Sequence, residues 1–400
     1  MKSVWRCWFF SVCLLATPVL AQQAIQPAVF TALTQAQQAQ QQGDLAGAQR
    51  LLNSALGQSR DGSLEQALLE QRLAYLAVAG EDWNQAVRWF ERALSRNQLE
   101  PAAAAQDRRN LAQLLAQVGR YRDAATLLER ELQAGSLDLD GKRLLVQVWS
   151  RQQQYRKAIP LAEQVVRADP RIDSVWYQLL VGMNHQEKRY REAERWLQVL
   201  LQREPGKPEH WRQLAALRSL DGRQREAAAA LRLAQLGGLG LSDADLDNLI
   251  ALQVRAGAPW QAASLLEQLL AQGVLAANQQ RREQLAGLWQ RARERQRAID
   301  SWQSLAERSG QSRHWLQVAG LQVEQEDWPA ALRSLARAES GASAEQQRQI
   351  RLWQGYARYA LGELDAARQS LRQVSGNNPQ AREAGRLLAW LEQQAEAQKL

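Results

Sequence analysis

The chain has 400 residues, with 50 Lys and Arg against 42 Asp and Glu, so its formal net charge is +8. This modest basic excess favours acidic partners or proximity to anionic surfaces. There are two cysteines, Cys7 and Cys13, and three histidines. Beyond Cys13 the chain therefore has no residue for a disulfide, a cysteine metal site or a thiol nucleophile.

The N-terminal segment has the layout of a secretory signal peptide. Lys2 and Arg6 give it a basic start, residues 8–20 form an apolar run, and Ala21 is a small residue at the expected cleavage position. We predict a signal peptide over 1–21 and a mature chain that begins after Ala21. Because a mature chain without cysteine suits an oxidising compartment, we expect a periplasmic protein.

A retained N-terminal membrane anchor is the alternative to cleavage. The apolar run is shorter than the roughly 20 residues that span a bilayer, which disfavours an anchor. A lipoprotein anchored at Cys13 is disfavoured too, because Val12 precedes it where that signal needs a small residue.

The mature chain opens on a glutamine-rich stretch over residues 22–42. Within it Val29, Leu33 and Ala36 keep the spacing of one helix face. We predict that this stretch is the first helix of the first repeat and leads into a turn at Gly43.

An alanine then recurs along the chain at intervals of 33 to 38 residues. Such self-similarity is typical of a stacked repeat built from helix pairs. Bulky or apolar residues tend to lie three residues before each alanine and four and seven after it, on one helix face. We expect each alanine to lie where this helix crosses its partner, because a small side chain permits close approach. The recurring alanines are Ala48, Ala86, Ala124, Ala158, Ala193, Ala227, Ala262, Ala298, Ala331 and Ala367.

A second apolar pattern lies about a dozen residues before each alanine, as in Trp211-x-x-Leu214-Ala215. A short polar turn, such as Gly80-Glu81-Asp82, separates the two patterns. Glycine suits the end of a helix because it adopts left-handed backbone angles without steric cost. Each repeat is therefore predicted to be a first helix, a turn and a second helix that carries the alanine.

Two segments carry a resemblance to a known family: Tyr190-Arg191-Glu192-Ala193 and Trp83-x-x-Ala86-x-x-x-Phe90. They resemble the tetratricopeptide repeat (TPR), and the resemblance covers residues 29–380. It implies an all-α fold, a right-handed superhelical solenoid of about ten TPR-like helix pairs with a C-terminal capping helix. The family's first-helix glycine is mostly alanine here.

Three glycines between Gly237 and Gly240 interrupt the array, and Ser242 with Asp245 forms a helix-start box. A last amphipathic helix follows the repeats and would cover their final apolar face. The predicted segments are an N-terminal array over 22–236, a glycine-rich break over 237–243, a C-terminal array over 244–380, and a capping helix and tail over 381–400.

The sequence carries no catalytic or cofactor motif. His185, His210 and His314 are far apart and lack metal-ligand spacing, and no phosphate-binding loop or nucleophile elbow is present. Asp138-Leu139-Asp140-Gly141 is similar to a calcium loop, but its first and twelfth ligand positions are not acidic. We expect a protein that is not an enzyme and binds no cofactor or metal.

In the TPR family the first helix of each repeat lines a concave face. By that resemblance a set of arginines and glutamines points to the groove, where arginine forks would grip an acidic or C-terminal peptide. The Lys/Asn carboxylate clamp of chaperone-binding relatives is absent. The candidate partner-binding residues are Arg109, Gln113, Arg143, Gln147, Arg151, Arg212, Arg255 and Arg291.

These features predict a non-enzymatic periplasmic scaffold for a protein or peptide partner, without nucleic acid. The chain is similar in character to exported TPR proteins that accompany TonB–ExbB–ExbD energy-transduction systems. The alternative is a scaffold of exopolysaccharide secretion or cell-wall synthesis that contacts glycan directly. Exposed tryptophans would then stack on sugars, and the candidates are Trp149, Trp211, Trp289 and Trp315.

Overall fold

The structure is a computed structural model that describes residues 25–397. The predicted signal peptide and both cysteines lie outside this range. Between residues 25 and 397 the chain forms 21 α-helices and no β-strand, which confirms the all-α prediction. The chain divides into two compact units, with the boundary between Arg189 and Tyr190.

In the first unit, consecutive helices pack against each other from its first helix to its last. The first helices of the repeats are odd-numbered and the second helices are even-numbered. The helices of this unit are α1 (Pro27–Gln41), α2 (Leu45–Gln58), α3 (Leu64–Ala79), α4 (Trp83–Ser95), α5 (Pro101–Gln117), α6 (Tyr121–Gln133), α7 (Leu139–Arg151), α8 (Tyr155–Ala168) and α9 (Ser174–Gln186).

The second unit follows the same rule, and consecutive helices pack against each other from its first helix to its last. Its helices are α10 (Tyr190–Arg203), α11 (Pro208–Leu220), α12 (Gln224–Leu236), α13 (Asp243–Arg255), α14 (Pro259–Ala271), α15 (Gln279–Arg291), α16 (Arg295–Ser309), α17 (Ser312–Glu324), α18 (Trp328–Ala338), α19 (Ala344–Ala360), α20 (Leu364–Arg372) and α21 (Pro379–Ala397).

The recurring alanines lie on the second helices, and all ten have an exposed fraction of 0%. The apolar residue four positions after the alanine is also buried in most repeats, as Leu52, Phe90 and Leu335 show. Trp302 is the exception, since it is half-buried. The register that the sequence predicted is therefore confirmed.

Each turn between a first and a second helix contains one left-handed residue, five positions before the alanine. Glycine occupies this position in five turns, as at Gly119 with φ +81°. Other residues occupy it in the remaining five: Glu81, Gln153, Lys188, Arg293 and Glu326, with φ of 58–60°. In the turn Gly80-Glu81-Asp82 the left-handed residue is therefore Glu81, whereas Gly80 has φ −87°.

We expect Gly119→Ala to lower the free energy of unfolding by about 1 kcal/mol, because a Cβ is disfavoured in left-handed backbone. A Cβ at Gly119 would meet nothing within 4 Å, so the cost is one of the backbone alone. Gly57 is the matched control, because it is exposed, lies inside α2 and also has open space around it. Gly57→Ala should raise stability by roughly 0.5–1 kcal/mol through helix propensity. Urea unfolding followed by circular dichroism measures both changes, and a shift of the same sign would contradict this account.

Between α12 and α13 the chain passes through the glycine-rich segment and restarts on a capping box. The Ser242 hydroxyl accepts a hydrogen bond from the Asp245 amide at 3.2 Å, and the Ser242 amide donates to the Asp245 carboxylate at 2.9 Å. This confirms the predicted helix-start box. The two helices pack against each other across the break.

The last helix, α21, packs against α19 and α20. Ala384 and Leu391 are buried there, and Leu387 and Leu388 pack against them half-buried. The predicted inward face of the terminal helix is thus the face that makes contact. None of the helices described is both long and apolar enough to cross a membrane.

Candidate partner-binding face

The predicted partner-binding arginines fall into two groups. Arg109, Arg143 and Arg212 are half-buried and bound to acidic residues of the same chain. Each contacts a carboxylate 26 to 33 residues further along. The distances are 2.7 Å from Arg109 to Asp138, 2.7 Å from Arg143 to Asp169, and 3.2 Å from Arg212 to Asp245.

The Arg109–Asp138 and Arg212–Asp245 pairs link one repeat to the next. The Arg143–Asp169 pair links the first helix of a repeat to the end of its second helix. Arg143 also contacts Asp140 at 2.8 Å, and Arg212 contacts Glu209 at 2.7 Å. An arginine whose donors already meet carboxylates of its own chain has less capacity for a partner's carboxylate. The three arginines of this group therefore position the helices more than they present charge.

Arg151, Arg255 and Arg291 form the second group. Each is exposed and is the last residue of a first helix, at α7, α13 and α15 respectively. All three lie seven positions before the recurring alanine, and within residues 25–397 none of them makes an ion pair. Their guanidinium groups are therefore available for a ligand.

The predicted glutamines lie on the same first helices. Gln113 is half-buried in α5 and Gln147 is exposed in α7. Arg151 also lines a shallow depression of about 490 Å³ with Gly119, Tyr121 and Gln152. Most residues that line this depression belong to the α5–α6 turn and the start of α6 in the preceding repeat. A ligand at Arg151 would therefore contact two repeats.

A buried polar cluster that the repeat pattern does not predict lies between α3 and α5. Asp107 has an exposed fraction of 0% and accepts two hydrogen bonds, from Gln71 Nε2 and from the Tyr75 hydroxyl, each at 2.6 Å. Asn110 donates to the Tyr75 hydroxyl at 3.1 Å. Burial raises the pKa of Asp107, and burial together with Asp107 raises the pKa of Tyr75. These hydrogen bonds determine which faces of the two first helices, α3 and α5, are turned toward each other.

In the second unit, charged side chains make the contacts between the first helices α13, α15 and α17. Arg281 of α15 contacts both Asp243 and Asp247 of α13 at 3.1 Å. Glu283 of α15 accepts from Arg313 at 2.8 Å, and its Oε1 lies 3.1 Å from His314 Nε2. The first helices α13, α15 and α17 are therefore joined by ion pairs.

His314 is buried at 2% exposure, and its Nδ1 lies 2.7 Å from the Ser309 hydroxyl. Burial lowers the pKa of His314; Arg313 also lowers it, whereas Glu283 acts against the shift. The ring of Trp302 stacks on the imidazole at 5.9 Å. The folded state therefore favours the neutral imidazole.

This environment predicts a pH dependence of stability. Below the unfolded pKa of about 6.5, the unfolded chain binds a proton that the folded chain resists, so stability falls as the pH decreases through that value. Urea unfolding at pH 7.5 and 5.5 should show a larger loss in the wild type than in His314→Gln. Equal losses in the two proteins would contradict a neutral, buried His314.

The tryptophans that were predicted to stack on sugars are mostly buried, which corrects that expectation. Trp149, Trp289 and Trp315 have exposed fractions of 5%, 0% and 6%. Trp211 is half-buried, and its Nε1 donates to the Pro205 carbonyl at 3.2 Å. Three of the four rings are core residues and offer no face to a glycan.

Histidines and carboxylates do not assemble into a metal site in the part of the chain that is described. No group of three or more His, Cys, Asp or Glu side chains has the arrangement to hold an ion there. His210 is buried beside Glu204, with Nε2 2.9 Å from its carboxylate. The first-helix ends with free arginines are therefore the best-supported functional face.

No protein-family model and no curated protein matches this chain. Among solved structures, a chain of the Naa15/Naa10 complex bound to HypK-THB is similar, with a TM-score of 0.50 and 13% identity. That match covers 82% of this chain, which spans about half (51%) of the matched chain's length.

Two further matches are shorter. A tetratricopeptide repeat protein from Parabacteroides merdae ATCC 43184 has a TM-score of 0.38 and 15% identity, and the match covers 64% of this chain and 97% of the other. YrrB, a TPR protein with an unusual peptide-binding site, has a TM-score of 0.36 and 16% identity over 50% of this chain and 92% of its own. At these identities the likeness concerns the fold alone.

Proposed function

We propose that this protein is a non-enzymatic scaffold that binds an acidic segment of a protein partner on its first-helix face. The observation that carries the proposal is the exposed arginine that ends α7, α13 and α15 without an ion pair among the described residues. Arginine presents a planar fork that matches a carboxylate in bidentate fashion. Cations repeated at one position of successive repeats, as at Arg255 and Arg291, suit an extended segment better than a small molecule.

The test is capture of partners by the mature chain with these arginines reversed. Arg151, Arg255 and Arg291 would be changed together to glutamate. The matched control changes three exposed arginines of second helices, Arg88, Arg195 and Arg333, in the same way. We expect the first variant to lose partners that the control retains in cross-linking and mass spectrometry. Identical partner lists for the two variants would overturn the proposal.

The compartment is part of the proposal and has its own test. The basic start, the apolar run and the small residue at Ala21 support export to the periplasm. We expect the protein in the periplasmic fraction, with an N-terminus at Gln22. A full-length chain that sediments with membranes would instead support the retained anchor.

Within this class the narrower candidate is an accessory of TonB–ExbB–ExbD energy transduction, which the predicted export and the repeat character support. Scaffolds of exopolysaccharide secretion or cell-wall synthesis are its alternatives. Cross-linking in cells distinguishes them, because each predicts a different membrane complex among the captured proteins. Recovery of no TonB-system component would remove the narrower candidate.

A further inference from the structure

A patch of exposed cationic and aromatic residues lies at the turns α13–α14 and α15–α16 of the second unit. We propose that it docks a protein segment in which acidic residues flank an apolar side chain and precede a basic one. This inference rests on the proposed scaffold function and extends its surface, because Arg255 and Arg291 belong to both. We call the surface the Trp260 patch, and its residues are Arg255, Trp260, Arg291, Arg293, Arg295 and Arg297.

Trp260 is the apolar anchor of the patch. It is 46% exposed, yet its ring packs edge-on against the fully buried Trp289, with centroids 6.3 Å apart. Because a core residue supports the indole, it loses little conformational freedom when a partner covers it. Such rigid, half-covered aromatic side chains are typical anchors at protein interfaces.

The same buried ring also holds a cation. The Arg297 guanidinium lies 4.6 Å from the Trp289 centroid. Trp289 thus places an apolar surface and a positive charge next to each other. Arg293 and Arg295, in the same turn, are exposed and make no ion pair within the described residues.

The first unit shows what is missing here. Trp149 and Lys157 occupy the repeat positions of Trp289 and Arg297, nine and one residues before the recurring alanine. There Glu129 accepts from both Trp149 Nε1, at 2.8 Å, and Lys157 Nζ, at 3.1 Å. Neither Trp289 Nε1 nor Arg297 has a carboxylate partner among the residues described. Glu267 occupies the repeat position of Glu129, five residues after the recurring alanine, but it makes no ion pair with Arg297 among the residues described. A carboxylate from a partner would therefore supply Arg297 with the contact that Glu129 gives Lys157.

The next turn along this edge has the opposite charge. Glu324 and Glu326, in the α17–α18 turn, are exposed and have no ion pair in the described part of the chain. They would repel a uniformly anionic glycan or lipid surface that extended past the Trp260 patch. They would attract a basic residue that follows the acidic ones, so a peptide of mixed charge fits and a polyanion does not.

The experiment is a titration of the mature protein with two fluorescein-labelled peptides, followed by anisotropy. One peptide is Asp-Glu-Leu-Asp-Gly-Lys-Lys, and the other replaces both lysines with glutamate. We expect the mixed peptide to bind more tightly and its affinity to fall with added salt. Arg293→Glu/Arg295→Glu and, separately, Trp260→Ala should weaken it by about tenfold or more.

Two controls keep these results interpretable. Arg88→Glu/Arg333→Glu makes the same charge change on second helices and should leave the affinity within about twofold. Glu324→Lys/Glu326→Lys should reverse the preference, so that the all-acidic peptide binds more tightly. Thermal melts monitored by circular dichroism show whether each variant retains the fold.

Several outcomes would overturn the inference. These are no binding of the mixed peptide at 0.1 mM, equal binding by the Trp260→Ala variant, or stronger binding of alginate or phosphatidylglycerol vesicles at the same patch. Such a failure is distinct from failure of the proposed function, because Arg293, Arg295 and Trp260 are not changed in the capture experiment. Partner loss on reversal of Arg151, Arg255 and Arg291 would then stand by itself.

Discussion

Replacement of Ala227 by leucine should lower the free energy of unfolding by about 1–3 kcal/mol, because the larger side chain overpacks a helix crossing. Ala227 lies in α12 and has an exposed fraction of 0%. Ala229, two residues later in the same helix, is exposed. Ala229→Leu should therefore change stability by no more than about 0.5 kcal/mol.

Urea unfolding monitored by circular dichroism compares the two variants directly. They share the helix, the substitution and the gain in side-chain volume, so only burial differs between them. Equal unfolding midpoints would contradict the packing role that the repeat assigns to its alanines. The pair Ala193→Leu and Ala102→Leu repeats the contrast elsewhere, because Ala193 is buried and Ala102 is exposed in the first turn of α5.

Loss of the Glu194 carboxylate should cost on the order of 3–5 kcal/mol, which is the range for breaking a buried ion pair from one side. Glu194 is 7% exposed in α10 and accepts from Arg218 Nε at 2.8 Å and from Arg223. Glu194→Ala would leave the Arg218 guanidinium, itself largely buried, without this carboxylate. Glu226 also contacts Arg223, at 2.7 Å, but its side chain is 52% exposed. Glu226→Ala is the matched control and should cost no more than about 1 kcal/mol.

The pH dependence gives a second readout of the same group. Burial acts to raise the pKa of Glu194, but hydrogen bonds from Arg223 and Arg218 outweigh it, so the pKa is lowered overall. Its stabilising contribution is therefore present above the unfolded pKa of about 4.3 and is lost as the pH falls through the lower folded value. Unfolding midpoints from pH 7 to pH 3 should converge between the wild type and Glu194→Gln. A constant difference over that range would contradict the ion-pair account.

Much of the fold can be predicted from the sequence because every repeat buries an alanine of its second helix at the same position. Burial of the recurring alanine leaves one register for the second helix, and the turn then falls five residues earlier. Glu81 shows where residue type alone gives the wrong prediction. Its neighbour Gly80 is the residue expected to adopt left-handed backbone angles, but Glu81 adopts them. The position in the repeat, rather than the residue type, decides which one adopts that backbone.

The same register could have corrected the expectation for the tryptophans. Trp149 and Trp289 both lie nine residues before the alanine, on the side of the first helix that faces the preceding repeat. That position is buried in both repeats. A count from the alanine therefore separates Trp149 and Trp289 from the exposed Trp260, which lies two residues before it.

The division of the arginines was harder to predict. The repeat period places Arg143 and Arg151 on the same first helix, but it does not say which of them forms an ion pair with an acidic residue of another helix. Asp169, the partner of Arg143, lies at the end of the following second helix, where small differences in loop length decide the distance. The Trp260 patch, by contrast, has a signal in the local sequence, since every second residue from Arg291 to Arg297 is arginine.

The left-handed residue of each turn has one further consequence. Its φ is positive whichever residue is in place, at 76–83° for glycine and at 58–60° for glutamate, glutamine, lysine or arginine. The hairpin can therefore exchange one side chain for another at its tip while the alanine crossing beneath it is untouched. New partner contacts can therefore evolve at one turn at a time, without any change in the helix packing that supports the turns.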